Sequence, residues 1–309
     1  MLGKKVVVVI PARNEGEAIA QTIVRLRNAL SGYDLSTVVV DGNSVDKTVE
    51  RSKAAGAIAV GQDGRGYGDA LFKGFLFGME ELSADVFLTM DADGTYEPDD
   101  APKLVDPILA READFTIGER VPEAGALTGI RKYGNYMVSW VTRMILGLGV
   151  RDTQSGMMGF RSELIQEQDL DVKGWGINTE MLKRAKDMGM VIKEVPVRYH
   201  KRIGHSKLNP LHAAVVDIAV ALRMMRDTEP LLFFAGFGCV MLLVGFAIGL
   251  EVLIDWIRTG LVTNMARVVF STLVIVVGVQ LVSLGLVAEM VSKLLRPKST
   301  RGLRKYRVL

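Results

Sequence analysis

This chain of 309 residues contains one cysteine and three histidines, and its basic and acidic side chains nearly balance. A single cysteine cannot form an intramolecular disulfide, which excludes the small disulfide-rich secreted proteins and predicts a reducing compartment. The three histidines, His200, His205 and His212, are spaced irregularly, so no histidine metal site is predicted. With 38 basic against 35 acidic side chains, the net charge of +3 also excludes a nucleic-acid-packaging protein.

Two long segments near the carboxyl end carry no charged side chain. Residues 231–250 have no strongly polar group either, and 268–288 carry only serine, threonine and glutamine as polar interruptions. A helix of this length spans about 30 Å, the hydrocarbon thickness of a bilayer. We therefore predict a transmembrane hairpin; buried helices of a soluble core are the alternative, but such helices rarely reach this length uncharged. Gly245 and Gly249 are expected to let the two helices approach closely.

Lysine and arginine are distributed unevenly around the predicted hairpin, whose helices lie in 230–288. The connector 251–267 is neutral, whereas 289–309 carries seven basic residues and one acidic residue. Because translocated segments carry few basic residues, a domain over 1–207 and the basic tail over 289–309 are both expected on the cytoplasmic side. Amphipathic segments at 136–148 and 208–229 are expected to lie in the headgroup plane, with core packing as the alternative.

Apolar β-branched runs alternate with amphipathic stretches through the first part of the chain. The runs lie at 4–10, 37–40, 57–60, 85–90 and 114–118, and the helical patterns at 16–30, 46–55, 67–82 and 98–111. Strands that are apolar throughout and joined by helices predict an α/β fold, a mostly parallel sheet with helices on both faces. Ligands of such sheets bind beyond the carboxyl ends of the strands, where this chain places several polar clusters.

Acidic residues follow two of the predicted strands. Asp91 and Asp93 come directly after the run 85–90, and two carboxylates at this spacing can hold Mg²⁺ or Mn²⁺ together with diphosphate oxygens. An ordinary turn is the alternative, but the position at a strand end favours a site. Asp41 follows the second strand, and it is expected either to accept hydrogen bonds from a nucleobase or ribose or to cap the next helix.

Several further motifs accompany the acidic pair in a fixed order. They are IPARNE at 10–15, VDGNSVDKT at 40–48, GYGDA at 66–70, MDADG at 90–94, GER at 118–120, DTQSG at 152–156, WGINTE at 175–180 and RIGHSK at 202–207. In this order they resemble the motifs of family-2 glycosyltransferases of the GT-A fold, and among these the dolichol-phosphate sugar synthases. The resemblance implies metal-dependent, inverting transfer of a hexose from a UDP- or GDP-sugar to polyprenyl or dolichyl phosphate, for glycosylation such as protein N-glycosylation.

The resemblance also implies roles for single residues. Nucleotide and substrate binding is implied for Pro11, Ala12, Arg13, Asn14, Glu15, Asp41, Gly66, Asp91, Ala92, Asp93, Asp152, Gln154, Ser155, Glu180, Ser206 and Lys207. Catalytic positions are implied at Asp91, Asp93, Arg120, Arg131 and Arg202, with the divalent cation on the two aspartates and the arginines against phosphate charge. Asp152 either steadies these arginines or is purely structural. Thr95 stands where the mannose enzymes tend to carry glutamine.

Two other functions compete with this interpretation. A processive polysaccharide synthase of the same fold would carry a QxxRW segment, but no tryptophan here follows an arginine. A non-catalytic membrane scaffold with a degenerate nucleotide-binding domain would not require the acidic pair or the basic loop. The expected partners are a nucleotide sugar, polyprenyl or dolichyl phosphate and membrane lipids, without nucleic acid; an oligomer is compatible with the sequence.

Overall fold

The structure is a computed structural model that describes residues 4–64, 66–123, 138–144, 146–166, 176–203, 210–262 and 264–295. The chain divides into two compact units, Met1–Ala221 and Leu222–Leu309, and each is described by itself.

One mixed sheet of seven strands organises the described part of the first unit. The strands are β1 (Lys5–Ala12), β2 (Asp34–Asp41), β3 (Ile58–Gly61), β4 (Val86–Thr89), β5 (Phe115–Pro122), β6 (Met158–Arg161) and β7 (Ile192–Tyr199). Their order is β3-β2-β1-β4-β6-β5-β7. Strand β6 runs antiparallel to β4 and β5, and the other pairs are parallel. The mostly parallel sheet predicted from the sequence is confirmed.

Helices cover both faces of this sheet. They are α1 (Ile19–Ala29), α2 (Thr48–Ala54), α3 (Tyr67–Glu80), α4 (Ala101–Leu109), α5 (Glu163–Gln166) and α6 (Ile177–Asp187); a further helix, α7 (Pro210–Thr228), follows β7 in the chain. The even-numbered residues of β1 share an apolar core with α1 and α4. On the other face, a Cβ on Gly74 of α3 would lie 2.3 Å from a methyl carbon of Val9, so α3 packs directly on the sheet. Burial on both faces explains why β1, β2 and β4 have continuously apolar centres.

A 3₁₀ turn, Pro98–Asp100, is tied to β7 by ionic contacts. The buried carboxylate of Asp100 accepts hydrogen bonds from the Arg198 side chain at 2.9 and 3.2 Å and from its backbone N–H at 2.8 Å. Burial by itself would raise the pKa of Asp100, but the hydrogen bonds from Arg198 and Lys103 outweigh it and lower this pKa to about 2.

This pKa predicts an acid-dependent contribution to stability. Because the pKa of Asp100 is lower in the folded than in the unfolded protein, the ionised carboxylate stabilises the fold above about pH 4 and this stabilisation is lost as the pH falls toward 2. We expect Asp100→Asn to lower the midpoint of thermal unfolding at pH 7, and the difference from the unsubstituted protein to disappear near pH 2. Circular dichroism across this range measures it; an equal difference at every pH would contradict the assignment.

The second unit contains two long helices, α8 (Pro230–Thr259) and α9 (Met265–Leu295). By length and composition each is apolar enough to cross a membrane, so the pair is a candidate transmembrane hairpin. Both helices extend beyond the predicted 231–250 and 268–288. The boundary between the two units falls within α7, the helix that stands where an amphipathic helix is predicted over 208–229.

Glycines set the close approach of α8 and α9. A Cβ on Gly238 would lie 2.7 Å from the carbonyl oxygen of Gly278, and one on Gly278 would lie 2.9 Å from that of Gly238. Gly245 packs equally tightly, with Ile275 Cγ1 2.6 Å from the position of its missing Cβ. The prediction for Gly249 is wrong, because a Cβ there would meet only the Ser271 hydroxyl at 3.9 Å. The contact thus uses glycines seven residues apart, about two helical turns.

Candidate active site

The strand ends bring the predicted acidic and basic residues to one edge of the sheet. Ala12 and Asp41 are register partners at the ends of β1 and β2. Asp91 lies just beyond β4, which pairs with β1, and Arg120 lies near the end of β5. This edge is where ligands of parallel sheets bind.

Asp93 is the less solvent-exposed member of the acidic pair. Its Oδ1 accepts hydrogen bonds from the backbone N–H and the hydroxyl of Thr95, at 3.0 and 2.6 Å. Its Oδ2 forms an ion pair with Arg202 Nη1 at 3.1 Å. Between the pair and Thr95, Gly94 adopts a positive φ of 73°, a conformation that turns the chain sharply and that other residues rarely adopt. Thr95 therefore supports Asp93 from within the same turn.

Asp91, the other member of the pair, is held by a different element. Its Oδ1 accepts a hydrogen bond from the Tyr67 hydroxyl at 3.1 Å. Burial and then the negative charge of Asp93 raise the pKa of Asp91. The positive charges of Arg202 and Arg120 act in the opposite direction. The two aspartates and the two arginines therefore form one electrostatic cluster.

Arg202 bridges two segments that the sequence separates widely. Its Nη2 contacts Glu15 Oε1 at 2.6 Å while its Nη1 contacts Asp93. The backbone follows the acidic turn closely, since the N–H of Ile203 donates to the carbonyl of Asp93 at 3.0 Å. Among the described residues, the buried Nε of Arg202 has no hydrogen-bond partner. Arg202 thus adds a cation beside both the IPARNE segment and the acidic pair.

Hydrogen bonds join the loop that follows β1 to the loop that follows β2. Asn14, which has a positive φ of 51°, donates its backbone N–H to the Ser44 hydroxyl at 2.9 Å and accepts from the N–H of Val45 at 2.8 Å. The backbone N–H of Glu15 donates to the Thr48 hydroxyl at 2.9 Å. These contacts join the IPARNE and VDGNSVDKT segments into one surface.

Asp41, at the end of β2, has one carboxylate oxygen that is hydrogen-bonded and one that is not hydrogen-bonded to any residue that the structure describes. Its Oδ2 accepts from the backbone N–H of Ser44 at 3.1 Å, whereas its buried Oδ1 has no hydrogen-bond partner in the part of the chain that the structure describes. The helix-capping alternative fails, because the start of α2 is satisfied by Asp46, whose Oδ1 accepts from the Thr48 N–H at 3.0 Å. A buried carboxylate oxygen without a partner is costly, so Asp41 is suited to accept a hydrogen bond from a ligand.

Arg120 and Asp152 form a bidentate ion pair. The guanidinium contacts the two carboxylate oxygens at 2.6 and 2.8 Å, and it lies 5.5 Å from the centre of the Tyr199 ring. Burial by itself would lower the pKa of Arg120, but the charge of Asp152 outweighs it and raises this pKa, so Arg120 is always a cation. Of the two interpretations of Asp152, this geometry favours the one in which it steadies an arginine.

The donor set of the acidic pair fits a hard divalent cation. Asp91 and Asp93 supply carboxylate oxygens, which are the ligands that Mg²⁺ and Mn²⁺ prefer. Within the described ranges, no cluster of three or more histidine, cysteine, aspartate and glutamate side chains could hold a metal ion. Water and the phosphates of a substrate could complete the shell of such a cation.

The remaining predicted site residues take several positions. Pro11 lies within β1, and Gly66 precedes α3 with a φ of 97°. Ser155 is buried, with its hydroxyl 3.3 Å from that of Tyr96, and Gln154 donates to the Thr179 hydroxyl at 3.4 Å. The rest are Arg13 in the loop after β1, Ala92 buried between the two aspartates, and Glu180 in the first turn of α6. Arg131, Ser206 and Lys207 lie outside the described residues.

Three residues at the acidic pair were not predicted. Tyr67 binds Asp91, and Asn178 donates to the carbonyl oxygen of Ser155 at 3.1 Å and also hydrogen-bonds to Tyr67. Tyr96 accepts a hydrogen bond from the Gly156 N–H at 2.7 Å. All three lie within or beside motifs that the sequence singles out, but their pairing depends on the tertiary fold.

Comparison with known proteins shows which family this chain resembles. The family model described as glycosyl transferase family 2 matches residues 7–183. Glycosyltransferase AglJ of Haloferax volcanii is 31% identical over 300 residues, covering 96% of each chain. The undecaprenyl-phosphate mannosyltransferase of Micrococcus luteus is 34% identical over 218 residues, covering 66% of this chain and 88% of its own.

A solved structure shows the same fold. The glucosyl-3-phosphoglycerate synthase of Mycobacterium tuberculosis, in complex with Mn²⁺, UDP and glucosyl-3-phosphoglycerate, superposes with a TM-score of 0.57 at 22% identity. The match covers 72% of this chain and 80% of that one. At this identity the likeness establishes the α/β architecture of the GT-A type.

Proposed function

This chain belongs to glycosyl transferase family 2, and we propose that it transfers a hexose from a UDP- or GDP-sugar to a polyprenyl phosphate such as dolichyl phosphate. The observation that carries the proposal is the cluster of Asp91 and Asp93 with Arg202 and Arg120 at one edge of the sheet. Two negatively charged substrates, a nucleoside diphosphate sugar and a lipid phosphate, require such neutralising cations to approach each other.

We propose that the nucleotide sugar binds at the two hydrogen-bonded loops that follow β1 and β2. The unpartnered Oδ1 of Asp41 is suited to a donor group of the nucleobase or ribose. Asp91 and Asp93 would hold Mg²⁺ or Mn²⁺, and a cation there would neutralise charge on the departing diphosphate. Arg202, beside Glu15 and Asp93, is positioned to add a second positive charge on the same side.

The acceptor end is proposed around Arg120. Its orientation is fixed by Asp152 and by the Tyr199 ring, so the guanidinium presents a permanent charge without the cost of ordering it on binding. The phosphate nucleophile is already an anion, so a general base is unnecessary and the residues act by positioning and by charge. Arg131 and Lys207, outside the described residues, are proposed to assist at the acceptor phosphate and in closing the site. A single displacement would invert the configuration at the sugar carbon.

Three features support a lipid acceptor. The relative from Micrococcus luteus is named for undecaprenyl phosphate, and this chain has a candidate transmembrane hairpin. In the helical stretch 138–144, the large apolar side chains of Trp140 and Met144 are 51% and 65% exposed. Tryptophan is favoured at membrane interfaces, so this surface is suited to a bilayer. We propose that the catalytic domain and the basic tail lie on the cytoplasmic side, where nucleotide sugars are available and the tail meets anionic lipids.

The nucleotide assignment predicts the behaviour of Asp41→Asn. Replacing the carboxylate by a neutral amide should weaken UDP or GDP binding by about 10- to 100-fold, because hydrogen bonds to charged groups are the stronger ones. Isothermal titration with each nucleotide in the presence of Mn²⁺ measures the change. Asp34→Asn is the matched control, since Asp34 begins the same strand at the opposite edge and pairs with Lys5 at 2.8 Å. Unchanged binding by Asp41→Asn would contradict the assignment.

The function itself is tested with detergent-solubilised protein, polyprenyl phosphate and a panel of radiolabelled UDP- and GDP-sugars, with Mg²⁺ or Mn²⁺. We expect one of these sugars to enter the lipid fraction and its transfer to stop when EDTA is added. Failure of every sugar to enter the lipid fraction would contradict the proposal. Appearance of a long sugar polymer instead would favour a polysaccharide synthase.

A further inference from the structure

The carboxylate of Asp91 is confined by residues from two separate segments, α3 and the loop before β6. On one side, the hydroxyl of Tyr67, the first residue of α3, donates to Asp91 Oδ1 at 3.1 Å. On the other side, the backbone of Gly156 leaves no space: a Cβ there would lie 2.7 Å from Asp91 Oδ2 and 3.0 Å from Oδ1. Asp91 therefore has little freedom to rotate about its side-chain bonds.

The residues that confine Asp91 are themselves fixed. Asn178, at the start of α6, donates to the Ser155 carbonyl at 3.1 Å and hydrogen-bonds to Tyr67. The N–H of Gly156 donates to the Tyr96 hydroxyl at 2.7 Å, and the Tyr96 hydroxyl lies 3.3 Å from that of Ser155. A hydrogen-bonded frame thus links α3, α6 and the loop before β6 around one carboxylate.

The two aspartates of the pair are supported in parallel ways. Asp93 receives the hydroxyl of Thr95 at 2.6 Å, and Asp91 receives the hydroxyl of Tyr67. In both aspartates the hydroxyl donates to Oδ1, whereas Oδ2 of Asp93 pairs with Arg202 and Oδ2 of Asp91 faces the backbone of Gly156. Hydrogen bonds of this kind orient ligating carboxylates, and their loss typically weakens metal binding without removing a ligand.

We propose that Tyr67 is a positioning residue that orients the Asp91 carboxylate toward a divalent cation, with Gly156 as the wall against which that carboxylate is held. The inference rests on the metal assignment of the proposed function and extends it to residues outside the acidic pair. It also gives the tyrosine of the GYGDA segment a specific role at the acidic pair.

The test compares Mn²⁺ affinity in Tyr67→Phe and in Tyr33→Phe. Both variants remove one tyrosine hydroxyl bonded to an aspartate, since Tyr33 donates to Asp106 at the opposite edge of the sheet. Titration of Mn²⁺ followed by electron paramagnetic resonance, with UDP and separately with GDP present, should show affinity about 10-fold lower in Tyr67→Phe and unchanged in Tyr33→Phe. UDP and GDP binding without metal should be the same in both variants.

Two results would overturn the inference. One is Mn²⁺ affinity in Tyr67→Phe that equals that of the unsubstituted protein; the other is an equal loss in both variants. If Tyr67→Phe loses its cooperative unfolding transition, Gly156→Ala replaces it, and its folded form must also bind Mn²⁺ more weakly for the inference to stand. The titration contains no lipid acceptor, so its result does not depend on whether the protein transfers sugar to a lipid. Failure of the lipid transfer and failure of this inference can therefore be told apart.

Discussion

An Asp93→Asn variant is expected to lose sugar transfer by about 10³-fold or more, equivalent to about 4 kcal/mol of transition-state stabilisation. The amide keeps the size of the side chain and can still accept from Thr95, but it removes the negative charge that would hold a divalent cation. It also breaks the ion pair with Arg202, which would then retain only Glu15 of its two carboxylate partners. Initial rates of lipid-linked sugar formation measure the loss, and Mn²⁺-dependent donor binding should fall with them.

Asp99→Asn is the matched control for this variant. Asp99 lies on the same segment, but its carboxylate is exposed and pairs with Arg25 at 2.7 Å. Transfer should therefore be unchanged in Asp99→Asn. Normal turnover by Asp93→Asn, with the same metal requirement, would show that the acidic pair does not hold the cation.

The Arg202→Ala variant is expected to lose about 10²-fold in turnover while binding the donor nucleotide normally. The nucleobase contact proposed for Asp41 and both aspartates remain in this variant, so donor affinity should persist. Affinity for Mn²⁺ should rise, because Arg202 and a divalent cation compete for the charge of Asp93. Comparing the rate constant with the nucleotide and Mn²⁺ dissociation constants separates these effects.

Arg198→Ala controls for the loss of an arginine in this region. Arg198 lies on β7, is half-exposed and pairs with Asp100 at 2.9 Å. Its removal should affect stability in the manner of Asp100→Asn and leave turnover unchanged. If Arg202→Ala instead lost donor binding but processed the acceptor normally, the proposed role of Arg202 in transfer rather than in donor binding would be wrong.

Much of the sheet could be predicted from hydrophobic patterning, and the exceptions have physical reasons. Strands β1, β2, β4 and β5 are predicted because burial makes their runs continuously apolar, and the short outer strand β3 is predicted from its apolar run alone. Strand β6 is only four residues long and contains Gly159, so it carries little signal. Strand β7 is the outermost strand on one side of the sheet. It alternates exposed and buried residues and contains Pro196, which an outermost strand tolerates. The antiparallel β6 thus follows from tertiary packing that local pattern does not encode.

The candidate site could likewise be predicted only in part from the sequence. Asp41, Asp91 and Arg120 could be predicted together because residues at the ends of parallel strands converge on one edge. The closeness of Arg202 to Asp93 could not, because it depends on how the segment after β7 returns alongside the acidic turn. The support of Asp91 by Tyr67 depends likewise on the packing of α3 against the sheet, which sequence spacing does not specify.

Transfer of a single hexose to a lipid phosphate is tested most directly by mass spectrometry of the lipid extract after incubation with polyprenyl phosphate, a nucleotide sugar and Mn²⁺. We predict that the polyprenyl phosphate gains one hexose, that an equal amount of nucleoside diphosphate is released, and that Asp93→Asn yields neither product. Hexose found only as free sugar or as a polymer, with the polyprenyl phosphate unchanged, would contradict lipid-phosphate sugar synthesis.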